Sequence, residues 1–469
     1  MSIEIREARW DGEEATALRL AMDAELRPRY ADLFSETTSA PTPVDTTQIV
    51  FTLVAFDGDQ PVATTSLKNT DGFFEVKRVF VAESHRRQNL GARLLAEVEE
   101  RALALGITDL VLQTGLRQPE AIALYEREGW VLIPPFGPYA DDTEISRCFA
   151  KAIVPLLVAV ELPARGAPAT LVSDAVAAIG TFAAAGVDLA IIGDDLRDAP
   201  EGQARVDAPT LAAFAAPKVA GIGLAATIST THTEPFHLAK VVQTLDHASL
   251  GRAAWQVAVS TSAEEAAQFG RKPAVDEPEA WAEAEEAIEV AERLWDSWED
   301  DAEIRDRATG RFIDRDRVHH IDFEGRFFSV KGPSIVPRSP QGRAPIIVSV
   351  TSAASLDVAA RRADIVRVTA DRVTEARAAI VEAGRAQLVT VLVDVPVASG
   401  SLRDLLATLR HDTGADGAVL VFDEIPDAAA FVTSLAPFVR RDDPTTLRDS
   451  LGLTRPASRY VRTLEGATL

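Results

Sequence analysis

The sequence predicts an α/β chain in two parts: an α+β domain with a mixed, mainly antiparallel sheet, then a closed (β/α)8 barrel with an insertion after its fourth strand. Three observations carry this. Strand-length runs dominate residues 1–152, eight apolar runs alternate with helix-patterned segments from residue 153 to residue 469, and the text between the fourth and fifth of those runs is long.

In the first part, IEIREA, IVFTLVAFDG, QPVATTSLKN and FFEVKRVFVA alternate or run apolar over strand lengths, and DGD supplies a turn between the second and third. GARLLAEVEERALALG sets Leu94, Leu95, Val98, Ala102 and Leu103 at helical spacing and stops at Gly106. TDLVLQTG reads as a buried strand, EAIALYEREGW as a second helix ending at Gly129, and WVLI as a returning strand. Beyond residue 152 come VPLLVAVEL, VDLAII, GIGLAATIS, AAWQVAVS, APIIVSV, ADIVRV, LVTVLVDV and GAVLVF. Segments such as LVSDAVAAIGTFAAAG and SLDVAARRA lie between most of them, the alternation of a parallel sheet under outer helices. Closure into a barrel removes both sheet edges; an open doubly wound sheet is the alternative. The insertion, about Thr261 to Arg343, holds the helix EPEAWAEAEEAIEVAERLWDSW and the hairpin-like VHHIDFEGRFFSV. Insertions after barrel strands fall on the catalytic face, so this one is expected to cover the barrel mouth.

Composition narrows the function. With 469 residues, 47% hydrophobic and 25% charged, the chain is a globular protein of more than one domain. The 48 Lys and Arg against 71 Asp and Glu leave a charge of −23, which repels phosphate backbones and anionic lipid, so neither nucleic acid nor membrane is an expected partner. The single Cys148 cannot form an internal disulfide, and no run approaches the ~20 apolar residues of a membrane span. The start, MSIEIREARWDGEEA, lacks the regions of a signal peptide, and a cytoplasmic protein is expected. No His, Cys or carboxylate set has metal-ligand spacing.

The strongest chemical signal is EVKRVFVAESHRRQNLGARLL, where a strand enters a short basic loop and then a helix. Unpaired amides and the positive end of the helix dipole converge there, a cradle for a diphosphate to which Arg86 and Arg87 add charge. With LVLQTGLRQPEAIALYEREGWVLIPPFGPY downstream, residues 1 to about 153 resemble the GNAT family of N-acetyltransferases. The resemblance implies an acetyl-CoA site at Val79, Val81, Arg86, Arg87, Gln88, Asn89, Gly91 and Ala92, with Asn89 standing at a glycine position. Asn enters left-handed backbone conformations more readily than most residues. The resemblance also implies that Tyr125 protonates the departing CoA thiolate and that Glu75 takes the proton of the attacking ammonium, with the Val79–Val81 backbone polarising the carbonyl. Arg27, Arg29 and Tyr30, in ELRPRYADLF, fall where such enzymes form the acceptor pocket; Arg29 and Tyr30 are the substrate candidates, for a small amino-acid-like amine.

The second half offers TISTTHTEPFHLAKVVQTLDHASLGRAAWQVAVSTS, with Thr, Ser and His at a strand end. His232 and His237 are acid, base or ligand candidates or simple core and capping residues, and Trp255, Trp295 and Trp298 read as packing. Together with RLWDSWEDDAEIRDRATGRFIDRDRVHHIDFEGRFFSVKGPSIVPRSPQGRAPII and TTLRDSLGLTRP, the region resembles the luciferase-like flavin-dependent monooxygenases, in the branch of the nitrilotriacetate monooxygenase large component. That resemblance implies FMN near Asp194, Ser229, Thr230, Gln256, Thr351 and Ser352, and a separate NAD(P)H:flavin reductase as partner. Gln256 stands where relatives carry Asn, Val259 where they carry Thr, and Thr351 and Ser355 replace glycines of the phosphate loop. The expected function is a fusion of an acetyl-CoA-dependent N-acetyltransferase with an FMN-dependent monooxygenase. The alternative keeps the acetyltransferase active and makes the barrel a dimerisation or regulatory scaffold, so that a homodimer is one expected assembly.

Overall fold

A computed structural model describes residues 3–32, 45–70, 73–140, 145–154, 156–397, 402–435, 438 and 446–460. The chain divides into two compact units, Met1–Pro155 with Ser401–Asp412, and Leu156–Gly400 with Thr413–Leu469.

The first unit runs β1 (Ile3–Ala8), α1 (Glu13–Leu26), β2 (Ile49–Asp57), β3 (Gln60–Thr70), β4 (Phe73–Val81), α2 (Leu90–Ala104), β5 (Asp109–Gly115), α3 (Pro119–Arg127), β6 (Val131–Ile133) and β7 (Ser146–Ala152). The strands form one seven-stranded sheet in the order β1-β2-β3-β4-β5-β7-β6, antiparallel except for β4 beside β5. On one face Ala15, Leu18 and Met22 of α1 cover Val54, Phe56 and Phe80. On the other, Leu94, Leu95 and Val98 of α2 pack on Leu53, Leu67 and Val76, each buried leucine contributing about 1.5–3 kcal/mol. Two elements go beyond the sequence expectation. In α1 only three positions are buried, a stripe too thin to announce a helix. The ends of β7, Ser146, Arg147 and Lys151, are polar around a short apolar centre.

The second unit is a closed parallel barrel with all eight expected strands, ordered β10-β12-β13-β18-β19-β20-β21-β8. Along the chain these are β8 (Leu157–Pro163), then β9 (Arg165–Gly166), α4 (Leu171–Ala184), β10 (Leu189–Gly193), β11 (Ala204–Arg205), α5 (Ala208–Ala215), β12 (Gly223–Ser229), α6 (Pro235–Ala248) and β13 (Ala253–Ala258). Next come α7 (Ala263–Phe269), α8 (Glu277–Asp296), β14 (Glu303–Asp306), β15 (Arg311–Ile313), β16 (Phe323–Glu324), β17 (Ser329–Val330), β18 (Ile346–Ser349), α9 (Ala353–Arg362), β19 (Ile365–Val368), α10 (Val373–Glu382) and β20 (Thr390–Pro396). β21 (Gly417–Val421), α12 (Ala429–Leu435) and α13 (Leu447–Ser450) complete the series, while α11 (Leu402–Thr413), which precedes β21 in the chain, groups with the first unit up to Asp412.

Side chains alternate along each strand, so interior residues recur every second position. One interior level is apolar: Ala159, Ile191, Ala225, Ala254, Ile365 and Leu392 belong to a single buried cluster. Two residues further along the same strands, toward their C-terminal ends, stand Glu161, Gly193, Thr227, Gln256, Arg367 and Asp394. The barrel core therefore turns polar at the mouth. At the opposite end Leu447 of α13 joins the apolar cluster, and a Cβ on Gly223 would lie 2.8 Å from its Cδ1.

The long helix of the insertion is not part of the expected cover. Ala280, Ala284, Ala287, Ile288 and Ala291 give α8 a buried face, and its Trp295 indole donates to Ala239 O of α6 at 2.9 Å, so α8 is a member of the outer helix ring. Glu285 and Glu289 hold it to Arg362 of α9. Asp296, wholly buried at its end, accepts from Arg338, Arg343 and Arg459, tying the residues that precede β18 to the C-terminal segment. α7 and the start of α8 border the mouth, through the stack of Phe269 on His232 and the contact of Glu277 with Thr351.

Candidate functional site

In the first unit a cavity of about 650 Å3 opens beside α2. Its walls follow from a defect in the sheet. β4 pairs with β5 only at Glu75↔Val111 and Val76↔Leu112. Past that point Arg78 takes φ 58° and the β3 register slips between Thr64 and Ser66, a bulge that bends the strand away. Val79–Val81 is thereby left without a β5 partner and lines the cavity. The loop that follows rewinds through Arg87 at φ 62° and Asn89 at φ 58°, so Asn89 does occupy the left-handed conformation that a glycine would. No side chain caps the start of α2 at Asn89, which leaves its first amides for a ligand. Gly91 matters for packing: a Cβ there would sit 3.0 Å from Leu124 Cδ2, on the helix that carries Tyr125.

Of the residues singled out by sequence, Arg29, Val79, Val81, Arg86, Arg87, Asn89, Gly91, Ala92 and Tyr125 line this cavity. Tyr125 is buried against Trp130 and Phe149, and burial pushes its phenol well above the ordinary value. Gln88 is exposed and lies outside the lining. Glu75 also lies outside it, 2% exposed, where its carboxylate accepts from the Tyr139 hydroxyl at 2.8 Å and pairs with Lys77 at 3.1 Å. Burial, with Glu75 beside it, holds the Tyr139 phenol up as well. Tyr30 is an anchor: its hydroxyl accepts from Arg117 N at 3.2 Å and fills the space where a Cβ on Gly115 would fall 1.8 Å away. The last residues of ELRPRYADLF, 33 and 34, lie outside the described residues.

Sequence reading missed Glu25 and Glu120, which share the cavity with Arg29 and Arg86. Glu25 pairs with Arg29 at 3.1 Å and also with Arg86, and Arg29 reaches Glu120. Opposite charges are therefore laid side by side in the cavity wall.

At the barrel mouth Arg367 is almost wholly enclosed. Its Nε donates to Asp394 at 2.9 Å, Nη1 to the Gln256 Oε1 at 2.5 Å and Nη2 to Glu161 at 2.5 Å. Gln256 in turn donates to Thr227 Oγ1 at 3.2 Å. Burial raises the Asp394 carboxyl above its usual range, against the lowering pull of Arg367. Glu161, Arg367 and Asp394 had a signal in the sequence: each is a charge inside an otherwise apolar barrel strand, in VAVEL, DIVRV and LVDV.

The six flavin candidates meet different surroundings. Ser229, at the end of β12, is buried and its Oγ has no partner among the described residues; both ring nitrogens of His232 are in the same state. Thr230 donates to Ala258 O at 3.3 Å. Asp194 accepts from Arg205 at 3.2 Å and Ala208 N at 3.3 Å. The amides of Thr351 and Ser352 both donate to Ser355 Oγ, at 2.9 and 2.8 Å, within a capping box. The orphaned groups at the end of β12 fit a polar cofactor, whereas the amides at the start of α9 are already engaged. Trp255 and Trp295 pack edge to face, as packing residues do. No three His, Cys, Asp or Glu side chains among the described residues are placed to hold a metal, and no described helix is long and apolar enough to cross a membrane.

The acetyltransferase (GNAT) family profile matches residues 16–130 and the luciferase-like monooxygenase profile residues 157–412. N-acetyl-S-(2-succino)cysteine monooxygenase of Bacillus subtilis (strain 168) is 39% identical over 172 residues, 37% of this chain and 39% of its own length. This chain thus aligns with about two-fifths of that relative. A pristinamycin IIA synthase subunit of Streptomyces pristinaespiralis is 34% identical over 312 residues, 66% of this chain and 98% of that one. EDTA monooxygenase from Chelativorans sp. BNC1 shares the fold, with a TM-score of 0.57 at 21% identity over 64% of this chain and 99% of its own. The chain belongs to the flavin-dependent luciferase-like monooxygenase family and carries ahead of that domain a GNAT acetyltransferase domain, of the family that uses acetyl-CoA.

Proposed function

We propose that residues 1–152 acetylate the amine of a small zwitterionic amino acid and that residues 153–469 oxidise the N-acetylated product. The observation that carries this reading is the fusion itself, set beside a 39%-identical relative named for an N-acetylated thioether amino acid. In the first domain Arg29 takes the acceptor carboxylate, and Glu25 and Glu120 balance its ammonium. Val79, Val81, Arg86, Arg87, Asn89, Gly91 and Ala92 hold acetyl-CoA, Gln88 closing the loop at the surface. Glu75, reached through Tyr139 and water, accepts the ammonium proton. The new N–C bond forms as the C–S bond breaks, and Tyr125 hands its proton to the thiolate. Tyr30 positions the loop that begins α3.

In the second domain Ser229, Thr230 and Gln256 hold the flavin, with Thr351 and Ser352 at its rim and Asp194 supporting the wall through Arg205. Bound reduced flavin supplies the electrons that let O2 give one oxygen atom to the substrate and the other to water. A separate NAD(P)H:flavin reductase delivers it. The barrel residues exclude water and fix the orientation of the ring. Mass spectrometry tests the order of the two reactions: the full chain, acetyl-CoA, a flavin reductase with NADH, and a panel of S-substituted cysteines that includes S-(2-succino)cysteine. Acetylation should precede oxygenation, and omission of acetyl-CoA should suppress oxygenation. Equal oxygenation of the free amine would defeat the proposal.

A further inference from the structure

We propose that the carboxylates of Glu161 and Asp394 form the floor of the flavin site and receive the N–H-bearing edge of the isoalloxazine ring. The inference rests on the reading of the barrel as a flavin enzyme. Three charged side chains from three different strands converge inside the barrel at the level where its apolar core ends. Arg367 is 3% exposed while Glu161 and Asp394 keep 18% and 27%, so the cation lies enclosed and the carboxylates face the mouth. Each guanidinium nitrogen of Arg367 already donates once, to Asp394, Gln256 and Glu161, so the cation is largely neutralised within the floor. Two carboxylates against one guanidinium give a floor that accepts hydrogen bonds and repels negative charge.

Two further features point to an occupant. Ser229 lies two residues beyond Thr227 on β12, hence on the same inward face one level higher. It is 8% exposed, and its hydroxyl has no partner among the described residues, as a group does whose partner is a ligand. At Gly193 a Cβ would come 2.9 Å from Glu161 Oε1, so the glycine leaves that carboxylate free to stand upright in the mouth. An oxidised flavin meets these conditions through its imide: an N–H on a neutral planar ring, with the negative charge carried on the phosphate tail. The floor thereby also sets orientation, ring inward and tail outward.

Fluorescence-quenching titrations of the full chain with FMN, lumiflavin and 3-methyllumiflavin test this without turnover. Lumiflavin is expected to bind, and methylation of the imide nitrogen to weaken binding at least tenfold. Glu161→Gln and Asp394→Asn, two independent variants, should each shrink that discrimination to threefold or less. Equal binding of the two lumiflavins by the wild-type chain overturns the floor and leaves the flavin reading standing, as does binding of FMN without lumiflavin. Failure of every flavin to bind, both oxidised and after anaerobic reduction with dithionite, overturns the flavin reading itself.

Discussion

Replacement of Arg367 by Met isolates what the buried cation does. Methionine is apolar and of similar length, so the cavity left is small, but Glu161 and Asp394 then face one another without a countercharge. Removing one partner of a buried ion pair costs about 3–5 kcal/mol, and since both carboxylates retain some solvent the lower end applies, about 3 kcal/mol. With an unfolding entropy of about 2.1 cal/mol/K per residue over a unit of roughly 300 residues, that lowers the melting midpoint by about 5 °C. The loss should depend on pH. Burial already holds the Asp394 carboxyl above its unfolded value, and Arg367 is the group that pulls it down, so its removal raises that carboxyl further. A carboxyl whose folded-state pKa lies above its unfolded value binds more protons when folded; stability then rises as pH falls through that raised value toward about 4, the unfolded carboxylate range. Thermal melts of the barrel transition between pH 8 and pH 5 should show the gap to wild type narrowing with acid, and adding Glu161→Gln with Asp394→Asn should recover most of the loss. A variant that melts within about 2 °C of wild type across that range would refute the reasoning.

Three further outcomes are expected. Tyr125→Phe should lower kcat for acetyl transfer by about 100-fold or more with CoA affinity preserved by calorimetry, since the ring packs as before and only the proton donor goes. Asn89→Val places a β-branched residue at φ 58° and should cost about 1–2 kcal/mol locally, read as roughly tenfold weaker CoA binding, whereas Asn89→Gly should bind as well as wild type. Gly115→Ala drives a methyl into the Tyr30 hydroxyl and should expose the Tyr30 segment to rapid hydrogen exchange, with about 1–3 kcal/mol lost from the acetyltransferase domain.

What the sequence made legible follows from periodicity. Apolar strands at regular spacing announced the whole barrel, and the basic loop before α2 announced a cavity, because both are local patterns. The function of Tyr30 was not local: its hydroxyl is fixed by Arg117 and Gly115, far along the chain. Glu25 and Glu120 escaped notice because an acidic residue on a helix normally faces water; the i,i+4 spacing of Glu25 and Arg29 was a readable signal, whereas only the fold brings Glu120 to Arg29. The insertion was misjudged since a long helix after a barrel strand reads equally as a lid or as a ring member. The buried face of α8, from Ala280 to Trp295, settles that question through its partners, which sequence order does not reveal. Arg367, by contrast, was visible as a charge within an apolar strand and was passed over.

The cork at the base of the barrel has a consequence for biogenesis. Leu447 enters the space that Gly223 leaves open and its amide is held by Gly251 O, so eight complete strands still lack the side chain that fills their lower end. A nascent or clipped chain that stops after β21 would present Leu189 and Leu157 to solvent at that opening. Such a fragment would be a natural client for chaperones, because the short helix that seals the barrel is made only after all eight strands.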